Sequence, residues 1–151
     1  MLRIQLKILD PRLGREFPLP DYATAGAAAM DLRAMTPSDF VLKPGEVKMV
    51  PAGFAIYIRD PDIVGVICPR SGLGAKHGIV LSNLTGIIDS DYQGPIMFPL
   101  WNHAPAKFKI RAGDRVAQML FLPVLKAHFE ICEKFEATAR GHGGFGSTGI
   151  D

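Results

Sequence analysis

Apolar residues along this chain fall into short runs at 4–8, 47–58, 63–68, 79–84, 96–101, 116–124 and 128–132, and several of these alternate with polar positions. A period of two is the signature of a strand with one face buried. Between the runs the chain repeatedly offers Pro, Gly or Asp. Lys43-Pro44-Gly45-Glu46, Pro51-Ala52-Gly53, Arg59-Asp60-Pro61-Asp62 and Ala112-Gly113-Asp114 each have residues suited to a reversal. No segment sustains apolar positions at i, i+3, i+4 and i+7 over the length a confident helix needs, so one short helix near 71–77 is the most the pattern predicts. Many short strands at spacings of about 8–12 residues point to an all-β sandwich, barrel or jelly roll. The β domain is expected to span 1–135, with 136–151 as a flexible C-terminal arm.

That arm ends in a stretch of another kind. Residues 140–151 hold five glycines, one aromatic ring and no apolar periodicity, so they cannot form a core. Glycine loses the most backbone entropy on ordering, and such a segment orders only against a partner for its amides, its Arg140 and its hydroxyls. A polyanion suits it: glycine amides form an anion nest, Arg140 grips a phosphate, and Phe145 offers a face to a base. A plain disordered terminus is the alternative. A P-loop is excluded because no Lys follows the glycines in the required pattern.

At 151 residues the chain is one domain's length, and its 48% apolar and 21% charged content is that of an ordinary globular protein. The net charge of +2 is too small for a duplex nucleic-acid footprint, so any anion site is local. No apolar run approaches the roughly 18 residues of a membrane helix, and residues 1–20 lack a signal-peptide pattern, so a cytoplasmic location is expected. Cys68 and Cys132 stand alone and read as reduced, buried core thiols. The four histidines show no zinc-ligand spacing.

Four internal segments break the alternation. Pro69-Arg70-Ser71-Gly72-Leu73-Gly74 follows an apolar strand directly, and an Arg, a hydroxyl and glycine amides at one strand end make either a phosphate cradle or an ordinary turn. In 83–97, Asp89 follows Ile87-Ile88 and precedes Asp91 and Tyr92; it is either a partly desolvated general base or a member of an Asp-Ser-Asp hairpin turn. Gln118, inside the last apolar strand, needs a hydrogen-bond partner, which is either a phosphate or water, or a neighbouring backbone. Asp31, between Met30 and Leu32, is either a salt-bridge partner or part of a cation shell.

Taken together these segments resemble the trimeric dUTP pyrophosphatases (dUTPases), bacterial type, over nearly the whole chain. All five motifs of that family occur in order: AAMDLRA (28–34), PRSGLG (69–74), NLTGIIDSDYQGPI (83–96), GDRVAQM (113–119) and RGHGGFGSTG (140–149). The resemblance implies a β jelly roll, a homotrimer, Mg²⁺ and cleavage of dUTP to dUMP and pyrophosphate. It implies that Asp89 activates the attacking water, that Tyr92 lies under the deoxyribose, and that Asn83 with the backbone of Gly86, Ile87, Ile88 and Met97 forms the uracil pocket. Arg70, Ser71 and Gly72 then hold the α- and β-phosphates, with Gln118 beside them or on the catalytic water. Arg140 meets the γ-phosphate, Phe145 stacks on uracil, and Gly146, Ser147 and Thr148 add donors. No protein residue is expected to bind the metal directly; Asp31 is at most an outer partner. In the family each site is shared, with motif III from one subunit, motifs I, II and IV from a second, and the tail from the third. Two departures stand out: His142 replaces a frequently acidic tail position, and Ala27-Ala28-Ala29 replaces a more glycine-rich approach to Asp31. The rival readings are a dCTP deaminase-type enzyme, disfavoured because 79–97 contains no Glu, and a non-catalytic nucleotide-binding barrel, disfavoured by the intact Asp89 and tail.

Overall fold

The structure, a computed structural model, describes residues 2–142. Ten strands and one helix follow in order: β1 (Gln5–Ile8), β2 (Met30–Arg33), β3 (Phe40–Leu42), β4 (Val47–Tyr57), β5 (Ile63–Pro69), α1 (Ser71–His77), β6 (Ile79–Leu81), β7 (Gly86–Ile88), β8 (Pro95–Asn102), β9 (Phe108–Ile110) and β10 (Arg115–Pro123). Two four-stranded sheets, ordered β1-β4-β8-β6 and β2-β10-β5-β7, are joined by the small pair β3-β9, and every pairing is antiparallel. This is the expected jelly-roll architecture.

The alternation that predicted strands is visible in the core. Along β8, Ile96, Phe98, Leu100 and Asn102 turn inward while Pro95 and Met97 stay exposed. Ile96, Phe98 and Leu100 meet Leu32, Val50, Ile56, Ile67 and Met119 from both large sheets in one cluster. Asn102 is fully buried, and its amide is saturated: Nδ2 donates to the carbonyls of Leu42 (3.0 Å) and Ala106 (2.8 Å), and Oδ1 accepts from the amide of Ala104 (3.0 Å). A buried amide so paired ties β3 to the end of β8 without a desolvation cost.

Three expectations require correction. Pro51-Ala52-Gly53 makes no reversal; it lies inside β4, where the register with β8 slips between Pro51 and Ala55. Gly53 has φ +81°, and an added Cβ there would sit 2.8 Å from Cγ of Met35, so the glycine marks a bulge against a neighbour rather than a turn. The apolar run 128–132 forms no strand. Beyond Pro123 the chain to residue 142 is irregular and, from Leu125 onward, exposed. Cys132 lies on that exposed segment, and Cys68 is half-buried, so neither is a core thiol; both are free.

Candidate active site

Residues from one of the unusual segments, 83–97, line a concavity of about 430 Å³: Asn83, Gly86, Ile87, Ile88, Asp89, Tyr92, Pro95 and Met97, with Met49, Ile67, Leu81 and Phe98 from elsewhere in the chain. It opens where β7 comes against β8 and β6 of the opposite sheet. β7 pairs with β5 on one side only, through Gly65 with Ile88, Val66 with Ile87 and Ile67 with Gly86, and it ends its sheet. A strand in that position presents backbone N–H and C=O groups outward, in a fixed alternation that a rotating side-chain amide does not have. Asn83 reaches the same strand: a Cβ built on Gly86 would lie 3.7 Å from its Nδ2 and 3.2 Å from Cβ of Ile67. The concavity therefore has an apolar floor, a backbone edge, one amide and one carboxylate.

Asp89 sits at the rim and is exposed, as is Ile87 at 61%. The partial desolvation that two preceding isoleucines suggested does not arise within a single chain, because Ile87 points away from the core. Nor do residues 89–91 close a hairpin. They carry the chain from one sheet to the other, with the Tyr92 amide donating to the Asp89 carbonyl (3.2 Å) and the Arg59 amide to the Ser90 carbonyl (3.0 Å). Arg59 adopts φ +68°, in the left-handed region that non-glycine residues avoid, in the turn that delivers this bond. Tyr92 lines the concavity and donates its hydroxyl to the Pro95 carbonyl at 3.0 Å.

A second concavity of about 330 Å³ collects Asp31, Arg70, Ser71, Gly72, Leu73, Lys76, His77 and Gln118. Strand register explains the meeting: Gln118 of β10 faces Asp31 of β2 on one side and Cys68 of β5 on the other. Asp31 takes the salt-bridge alternative. Its Oδ1 holds Nε of Arg70 at 2.8 Å and its Oδ2 holds Nη1 of Arg115 at 3.0 Å. Nη1 of Arg70 also donates to the Arg115 carbonyl (2.9 Å), so two nitrogens of Arg70 and one of Arg115 are fixed before any anion arrives. Gln118 takes the backbone alternative: its Nε2 donates to the Pro69 carbonyl at 2.9 Å, which pins the residue before Arg70. The sequence reading missed Arg115, Lys76 and His77. A signal was present for Lys76, which lies four residues after Gly72 in the predicted helix and so shares a face with it.

The two concavities have no lining residue in common, and Arg140 lines neither. Phe145, Gly146, Ser147 and Thr148 lie outside the described residues. Among the described residues no three His, Cys, Asp or Glu side chains converge as a metal site.

Comparison with known proteins gives one answer throughout. A sequence model of the dUTPase family matches residues 15–149. The deoxyuridine 5'-triphosphate nucleotidohydrolase of Haemophilus influenzae (strain PittEE) is 58% identical over 149 residues, 99% of each chain. That of Psychromonas ingrahamii is 56% identical over the same coverage. Among solved structures, a G164S mutant of the Staphylococcus bacteriophage 80alpha dUTPase with dUpNHpp matches with a TM-score of 0.85 at 23% identity, covering 99% of this chain and 100% of that one. A variant dUTPase of phage phi11 of S. aureus, solved to detail the coordination of a structural Mg(II) ion, matches with a TM-score of 0.76 at 22% identity, covering 89% and 99%. At those identities the two structures speak for the fold. The family model and the bacterial relatives, which match from end to end, show that this chain belongs to the dUTPase family.

Proposed function

We propose that this chain hydrolyses dUTP to dUMP and pyrophosphate as a homotrimer in the cytoplasm, keeping uracil out of DNA and supplying dUMP for thymidylate synthesis. The observation that carries the reading is the first concavity, which gathers a carboxylate, an amide, an aromatic ring and the edge of β7 in a space suited to a nucleoside. Uracil pairs with Asn83 and the backbone from Gly86 to Ile88 beside Met97, and Tyr92 packs against the 2′ carbon, which leaves a hydroxyl neither room nor partner. Asp89 takes a proton from water as its oxygen bonds to the α-phosphorus; the bond from that phosphorus to the bridging oxygen breaks and pyrophosphate leaves. The exposure of Asp89 in the single chain is consistent with a base that becomes enclosed only in the assembled site.

The second concavity supplies the α- and β-phosphate contacts through Arg70, Ser71 and Gly72, with Gln118 setting the strand end on which Arg70 rides. Arg140, Phe145, Gly146, Ser147 and Thr148 close over the nucleotide. The donor set suits Mg²⁺ carried by the phosphates and water, because both oxygens of Asp31 already hold guanidinium groups. When bound, the ion supplies charge neutralisation to the phosphates. The separation of the two concavities supports sites assembled from different subunits. So do the fully exposed apolar side chains of the segment 125–135 that leads to the arm, among them Leu125 at 98% and Ile131 at 99%, which need cover from another chain. On this reading 1–135 holds the β unit, its last residues lying against a neighbour, and 136–151 is the arm that closes over a neighbour's site.

Incubation of the purified protein with dUTP and with dCTP, assaying pyrophosphate and ammonia, tests the reading. Pyrophosphate from dUTP alone is expected. Ammonia from dCTP, or no pyrophosphate from dUTP, would refute it.

A further inference from the structure

Gly94 is not required by its backbone, since its φ lies outside the left-handed region in which the positive-φ glycines of this chain are found. It is required by a side chain. A Cβ built on Gly94 would lie 2.4 Å from Oη of Tyr92, 2.6 Å from Cζ and 2.9 Å from Cε2, closer than real Cβ atoms come to any heavy atom. The ring of Tyr92 is therefore folded back over the Gly94 backbone, and its hydroxyl reaches past it to the Pro95 carbonyl at 3.0 Å. That fold-back fixes where the ring stands in the concavity it lines with Asp89 and Asn83.

We infer that Gly94 is a positioning residue whose missing side chain holds Tyr92 in place and thereby sets discrimination against a 2′-hydroxyl. The inference rests on the sugar contact proposed for Tyr92. Its physical content is the route by which an added methyl is relieved. The colliding atoms are the far end of a side chain that is 42% exposed, and the strands on either side, β7 and β8, are held by their own ladders. Rotation of the ring is the cheapest escape. It breaks the bond to Pro95 and leaves the base edge of β7, Asn83 and Asp89 unmoved. The outcome is a folded enzyme that still recognises uracil and has lost the wall beside the 2′ carbon.

The test compares Gly94→Ala, Tyr92→Ala and the double variant by the ratio of kcat/KM for dUTP to that for UTP, with melting temperature alongside. Rejection of an added hydroxyl by close packing is worth on the order of a hundredfold, so Gly94→Ala is expected to lower the ratio by roughly tenfold or more. Tyr92→Ala lowers it at least as far, and the double variant matches Tyr92→Ala because the methyl then has nothing to displace. Any stability lost in Gly94→Ala returns in the double variant for the same reason. A Gly94→Ala enzyme that keeps its ratio while Tyr92→Ala loses it overturns the role of Gly94 and spares that of Tyr92. An unchanged ratio in Tyr92→Ala overturns the sugar contact itself, and the inference with it. A double variant that remains destabilised, or equal losses for both nucleotides in Gly94→Ala, shows a purely structural glycine and overturns the inference.

Discussion

In the single chain, replacing Phe129 and Ile131 with Ala should cost almost nothing, because these side chains are 91% and 99% exposed. Surface substitutions of this kind usually stay within about 0.5 kcal/mol. If the segment 125–135 lies against a neighbouring subunit, the expectation reverses. Burying a large apolar side chain is worth about 1.5–3 kcal/mol. Leu125, Phe129, Ile131 and Phe135, the last at 91% exposure, thus bring on the order of 6–12 kcal/mol of burial to each copy of this segment. Ordering the backbone of the 11 residues from 125 to 135 opposes this at about 1–2 kcal/mol per residue, which exceeds the burial, so docking also needs backbone hydrogen bonds and further contacts from the neighbour. Removing two of the four anchors takes away roughly 3–6 kcal/mol and should release the segment. At about 2–4 °C per kcal/mol for a domain of this size, the double variant should melt on the order of 10 °C lower, with the transition depending on protein concentration. Differential scanning fluorimetry and sedimentation velocity over a dilution series measure both. A melting temperature within about 2 °C of the parent, with an unchanged oligomeric state on dilution, would show that nothing covers these residues and would refute the reasoning.

Asp89→Asn should bind dUTP and lose about 10²–10⁴-fold in kcat, because the amide keeps the shape and cannot accept a proton; turnover at half the parent rate would remove Asp89 from the mechanism. Deleting residues 139–151 should leave the melting temperature nearly unchanged, since the described part of that segment is exposed, yet abolish most turnover; mixing the truncated chain with Asp89→Asn should restore activity in exchanged trimers, as detected by pyrophosphate release and native mass spectrometry. Asp10 is held below the ordinary carboxylate value chiefly by its side-chain hydrogen bonds from Arg12, at 3.0 Å to Nε and 2.6 Å to Nη2. A lowered carboxylate pKa contributes stability above the unfolded value and loses it as pH falls through the folded one. Asp10→Asn should therefore be less stable by about 1 kcal/mol near neutrality, and the gap in melting temperature should close below about pH 4.

How much of this was legible follows from what each segment had to satisfy locally. Residues 96–101 declared a strand because Ile96, Phe98 and Leu100 turn to a core that demands alternation. Met30–Arg33, Phe40–Leu42 and Phe108–Ile110 did not, because strands of three or four residues with half-buried faces carry too few repeats to show a period. Gly53 looked like a turn because the sequence shows a Pro and a Gly but not Met35, whose side chain makes a bulge the tighter fit. Asp31, Arg70 and Gln118 were each recognisable as misplaced polar groups, and the family's motifs named them together. Their meeting depends on the order β2-β10-β5, and no local pattern reveals which strands lie beside each other. Arg115 shows the limit clearly: it reads as a solvated residue at a strand start, yet it shares a carboxylate with Arg70.

The same edge that makes β7 useful would be a liability in a longer strand. An exposed strand edge invites another chain to pair with it, and Ile87 adds 61% exposed apolar surface to the invitation. β7 limits that risk by its length, since three residues give too few backbone groups to hold a stable added strand. Three residues are nevertheless enough for a ring with two or three hydrogen-bonding atoms along one side. Gly86 keeps the strand close to Ile67 behind it, and Asn83 reaches the open end, so the edge is shaped for an object about as wide as a pyrimidine. In the proposed reading, uracil occupies the edge that a partner strand would otherwise seek, and the brevity of β7 accounts at once for its weak signature in the sequence and for its selectivity in the site.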